Sequence, residues 1–144
     1  MSNPKALVIL VPALFLACGT TPDGFTPEAW DRYQRENPNG AQLVRWIHES
    51  RPRRELLKTY TRVCQEHGVQ PIEARILFYI PAEQAMLTGV DLKGFICASY
   101  EQMVKGHEDD LHRATTGFFP DPIRAEIVNR RLARDRAILA AMRR

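Results

Sequence analysis

The chain lacks most of the features that declare a biochemical activity. It has no Cys-x-x-Cys, no Gly-x-Ser-x-Gly and no glycine-rich phosphate loop, so no catalytic, nucleotide-binding or other cofactor motif is present. No apolar run reaches the roughly 20 residues a spanning helix needs. An excess of one charge is missing too: 20 basic residues face 17 acidic ones, a net charge of +3 that names no partner by itself. Internal repeats and long low-complexity stretches are absent. The arginine-rich C-terminal stretch, residues 124–144, contains no aromatic residue, which argues against a nucleic-acid platform there.

What is present begins at the N-terminus. Lys5 precedes an apolar stretch from Ala6 to Leu16, followed by small Ala17, Cys18 and the polar break Gly19-Thr20-Thr21-Pro22-Asp23. A charged start, a short apolar centre and small residues at its end are the parts of an export signal. The segment Leu14-Phe15-Leu16-Ala17-Cys18 resembles the cleavage box of bacterial lipoproteins. That resemblance implies removal of residues 1–17, lipidation of Cys18 and a membrane anchor. Gly19 resembles the residue that permits sorting to the periplasmic face of the outer membrane. An ordinary secretory signal cut after Gly19 is the alternative, since Ala17 and Gly19 are also small.

Loss of residues 1–17 removes Lys5 and leaves a charge of about +2. It also leaves Cys64 and Cys97 as an even pair once Cys18 is lipidated. In an oxidising compartment these are expected to bond, at roughly 3 to 4 kcal/mol of stabilisation; two buried thiols are the other reading.

Beyond a flexible tether at 18–25, residues 26–144 read as one all-α domain, a compact bundle of about six helices. Thr26-Pro27-Glu28 is a helix start with a hydroxyl cap, and Trp30 and Tyr33 share its inner face. Asn37-Pro38-Asn39-Gly40 ends that helix, and a second runs from Ala41 to Ser50. A third follows Ser50-Arg51-Pro52, carries Leu56, Leu57, Tyr60, Val63 and Cys64 inward, and stops at Gly68. Pro71 opens the most apolar segment, Ile72 to Ile80, read as a buried helix because no second strand candidate could pair with it; Pro81 should kink or restart it. Asp91 to Ala114 places Ile96, Tyr100, Met103, Val104, His107 and Leu111 on one stripe. Asp121-Pro122 caps the last helix, whose stripe is Ala125, Val128, Leu132, Asp135, Leu139 and Met142.

Three groups are candidates for function. The last helix is rich in arginine, and Arg124, Arg130, Arg131 and Arg134 form a candidate basic face for anionic lipid or an acidic envelope protein. A second basic group, Arg51, Arg53, Arg54, Lys58 and Arg62, lies on the third helix. Glu108 and His112 are four apart with His107 beside them, yet two ligands make no closed metal site and no metal is expected. Pro81-Ala82-Glu83-Gln84 after an apolar helix is similar to the lytic transglycosylase segment in which a glutamate acts as general acid on peptidoglycan. The resulting expectation is a membrane-anchored, non-enzymatic interaction or assembly module of the bacterial envelope, with a Glu83-dependent peptidoglycan-cleaving enzyme as the alternative.

Overall fold

The computed structural model describes residues 21–144, so the signal-like run, Cys18 and the start of the expected tether, residues 18–20, lie outside the described residues. The protein is all-α: the described residues form six helices and no strand. These are α1 (Pro27–Glu36), α2 (Pro38–His48), α3 (Arg51–Glu66), α4 (Pro71–Thr88), α5 (Leu92–Thr116) and α6 (Pro122–Met142). They fall into two compact units, one ending at Arg51 and the other running from Pro52 to Arg144.

In the first unit, α1 starts where its sequence dictates. The Thr26 hydroxyl accepts the Ala29 N–H at 3.2 Å, and Pro27 occupies a position whose N–H would have no helical partner. Asn37 alone separates α1 from α2: its N–H donates to the Tyr33 carbonyl at 2.8 Å and its carbonyl accepts from Ala41 at 2.9 Å. The second helix therefore begins at Pro38, three residues before the expected start. Gly40 leaves room at this junction for the Tyr33 hydroxyl, which a Cβ there would displace. Trp30 is buried, with the rings of Phe25 and Tyr33 centred 5.2 and 5.9 Å from its own.

The second unit contains α3 to α6. Gly68 and Gly89, at φ of +81° and +69°, end α3 and α4 in the left-handed conformation that side chains resist. After α4 the Val90 N–H returns to the Ala85 carbonyl at 3.2 Å and satisfies one of the last open acceptors. Asp91 and Asp121 cap α5 and α6, accepting from Gly94 and Arg124 at 2.9 and 3.0 Å. Helices α5 and α6 are an antiparallel hairpin. Glu101 meets Arg143 and Glu108 meets Arg136, so the numbers fall along one helix as they rise along the other. Val128, Leu132, Asp135, Leu139 and Met142 are all buried, as their spacing requires.

Two expectations are corrected here. Residues 71–88 are one helix, so of the two outcomes expected at Pro81 it does not restart the helix, and the isoleucines of this segment are not core: Ile72, Ile76 and Ile80 are 75, 56 and 61 % exposed. Ala74, Phe78, Ala82 and Ala85 form the inward face instead, because small residues there let the helix pack closely and leave the bulkier isoleucines outside. The expected disulfide is also not formed, for Cys64 and Cys97 are both free thiols. Tyr60 of α3 meets Tyr100 of α5, and Cys64 lies toward the Arg134 and Asp135 level, to which His107 also belongs. Cys97 lies on the other side of Tyr100, which offsets the two cysteines by about 10 Å along the helix axes. A disulfide spans Cα atoms only roughly 4.4–6.8 Å apart.

Candidate functional site

The residues most able to carry function sit where α3, α4, α5 and α6 meet. Burial of Tyr60 and Tyr100 follows from their positions on the apolar stripes of α3 and α5, and each then needs a partner for its hydroxyl. They supply one another: one hydroxyl donates to the other, and the rings meet edge to face with centroids 6.0 Å apart. Phe78 of α4 packs on Tyr60 at 5.4 Å. Burial raises both phenols above their ordinary range, and Tyr100 is pushed up to about 12. Neither is a proton acceptor near neutral pH.

One side of this pair opens into an apolar cleft of about 320 Å³ between α4 and α5. Leu77, Ile80, Pro81 and Gln84 form one wall, Phe95, Ser99 and Met103 the other, and the two tyrosines the floor. The volume lies at the lower end of the range for small-molecule sites. Ser99 and Gln84 are the polar side chains on its walls. Pro81 contributes twice, since its ring lines the cleft and its missing N–H leaves the Leu77 carbonyl without its helical donor.

The other side of the tyrosine pair leads to a buried charge. Asp135 is 0 % exposed. Arg134 Nε donates to its Oδ1 at 3.2 Å, and His107 Nε2 lies 3.0 Å from Oδ2. The histidine approach is close without being aligned as a hydrogen bond, so Oδ2 has an imidazole neighbour and no true donor. Cys64 faces the same region. Burial pushes its thiol above the usual range, and the nearby Arg134 guanidinium only partly offsets this. With no surface exposed, the thiol is also out of reach of solvent.

The other candidates from the sequence are dispersed. Arg124, Arg130 and Arg131 are exposed, Arg124 at 3.5 Å from Asp110 and Arg130 at 2.5 Å from Glu126. Arg134 does not share their surface; it is half-buried against Asp135. On α3, Lys58 pairs with Glu55 and Arg62 with Glu66. Glu83 is exposed on α4 and does not supply the acid between apolar walls that glycosidic cleavage requires. Glu108 pairs with Arg136 at 3.0 Å, and the described residues contain no cluster of three metal-ligating side chains.

Sequence spacing placed His107, Asp135, Tyr60 and Tyr100 inward but did not pair them. The available signal was that two ionisable residues occupied apolar stripes, since a buried charge needs a partner of opposite sign. Compared with protein-family models, curated proteins and solved structures, the chain finds no match in any of the three.

Proposed function

We propose that the protein is a lipid-anchored, non-enzymatic interaction module of a bacterial envelope, held by acylated Cys18 at the periplasmic face of the outer membrane. Anchoring rests on the apolar run closed by Ala17-Cys18. No helix among the described residues is long and apolar enough to cross a membrane. Binding in preference to catalysis is carried by one observation: the ionisable groups lining the α4–α5 cleft are two tyrosines whose hydroxyls already satisfy one another. Such a cleft has apolar area and two hydrogen-bonding groups to offer, but no acid or base.

The test has two arms. Labelled palmitate should enter the wild-type chain and not Cys18→Ala, and only the wild type should remain with membranes. A protein released from membranes by neither salt nor carbonate but unlabelled at Cys18 would end the lipoprotein reading. For the cleft, the fluorescence of anilinonaphthalene sulfonate should rise on binding to wild type and fall in Ser99→Phe, whose ring fills the space. Equal dye binding by a folded Ser99→Phe protein would remove the cleft from the proposal.

A further inference from the structure

The loop joining α5 to α6 carries the most exposed aromatic residues of the described chain. Phe118 and Phe119 are 95 and 86 % exposed, with rings 5.3 Å apart and edge to face. They are presented by a constrained turn. The Gly117 N–H donates to the Arg113 carbonyl at 3.1 Å, and the Asp121 N–H closes back on the Ala114 carbonyl at 2.9 Å. A Cβ on Gly117 would lie 2.7 Å from the Arg113 carbonyl oxygen, so glycine alone fits. Just beyond the turn, Ile123 and Ile127 are 73 and 47 % exposed. Being four apart, they share a face of α6, and Arg131 is the next residue on it.

We propose that this hairpin tip inserts into the interfacial layer of an anionic bilayer, with Phe118, Phe119 and Ile123 entering the acyl boundary and Arg113 and Arg131 meeting lipid phosphates. The inference rests on the membrane location proposed above but not on the lipid at Cys18. The charge pattern selects this occupant. Around the tip, Arg124 is engaged by Asp110, Arg130 by Glu126, and Asp121 by its capping bond. Arg113 and Arg131 are exposed and carry no such partner. The exposed acid Asp109 lies one turn further from the tip than Arg113. The spacing agrees: Arg131 is about 12 Å along α6 from Ile123, just beyond the roughly 5–10 Å to which interfacial elements bury their apolar face. Its aliphatic stem would cover Ile127 while the guanidinium reaches the headgroups.

The experiment uses the full chain carrying Cys18→Ala, so that acylation plays no part, with vesicles of phosphatidylcholine alone or mixed with phosphatidylglycerol. Phe118→Ser/Phe119→Ser should lower partitioning onto the mixed vesicles at least about tenfold, because both rings forfeit their transfer from water. Arg113→Gln/Arg131→Gln should abolish the preference for phosphatidylglycerol, and salt should weaken binding by the unmodified tip. In Phe119→Trp, emission should shift to the blue on vesicle addition and be quenched by brominated acyl chains, beyond any change from Trp30 and Trp46. Equal partitioning by the double serine variant, or no added tryptophan response, overturns the proposal. If the lipid-free protein is instead a dimer that the serine substitutions dissociate, the tip is covered by a second copy and the membrane reading fails. Palmitate labelling of wild type reports separately on the anchor.

Discussion

At Asp135 the protein keeps a fully buried carboxylate on a helix face otherwise made of valine, leucine, isoleucine and methionine. Its neighbour in sequence, Arg134, folds back to reach Oδ1, although adjacent helical residues do not normally face one another. Asp135→Asn is expected to cost about 1–3 kcal/mol, because a charge-assisted bond and the His107 contact are both weakened. Asp135→Leu should cost less than Asp135→Ala, since it fills the volume and allows Arg134 and His107, each partly exposed, to turn to water. Urea midpoints of the three variants give this ordering, and three values equal to wild type would mean the buried pair adds nothing to stability. The tyrosine pair makes a second prediction. Tyr60→Phe or Tyr100→Phe alone leaves one buried hydroxyl unpaired and should destabilise by about 1–3 kcal/mol, whereas the double Phe variant should lie closer to wild type. Both phenols are raised on folding, so the folded state holds protons that the unfolded chain has released. Their contribution is complete below the unfolded value near 10 and is lost as pH rises toward the Tyr100 value of about 12. Urea midpoints should therefore fall between these limits, and less steeply in the double Phe protein.

At the scale of helices, capping and stop signals were legible because they are local. Thr26, Asp91 and Asp121 accept from the backbone three residues on, and Gly68 and Gly89 end their helices. The apolar stripes of α3 and α6 were legible for the same reason, and so was that of α5 at Ile96 and Tyr100, although Met103, expected on it, is 40 % exposed at the cleft. What periodicity did not give was the orientation of α4, whose residues are apolar nearly all round. When Ile72, Ile76 and Ile80 compete with Ala74, Phe78, Ala82 and Ala85 for the interior, hydrophobicity alone favours the isoleucines, yet close approach to α5 favours the alanines. The cleft was illegible as well, because it depends on how side chains of α4 and α5 far apart in sequence, such as Leu77 and Met103, come to face one another. Since Pro81 withholds one helical bond in the middle of α4, Pro81→Ala should restore the Leu77 acceptor and stabilise the protein by about 1–3 kcal/mol. A calorimetric melting temperature above wild type is the expected outcome. A lower one would show that the pyrrolidine ring's packing in the cleft outweighs the missing bond.

At the scale of the whole molecule, the arginine-rich composition of α6 resolves into cross-links to α5, with Arg143 at 2.6 Å from Glu101 and Arg136 at 3.0 Å from Glu108. All four side chains are about half exposed, and pairs of that kind contribute about 0–1 kcal/mol each. Most of the stability of the Pro52–Arg144 unit must then come from the buried stripe between these charges. Leu132, 1 % exposed at the middle of that stripe, tests this directly. Leu132→Asp replaces packed apolar volume by a charge with no prepared partner, at a cost of several kcal/mol. A domain typically has only about 5–15 kcal/mol in hand. The variant should lose much of its helical circular dichroism at temperatures where wild type is intact. Arg130→Gln, by contrast, removes only an exposed pair with Glu126 and should melt within about 0.5 kcal/mol of wild type. If the two variants melted alike, α6 would be held by its charged surface and not by its buried face, and the antiparallel hairpin would need a different account of what keeps it closed.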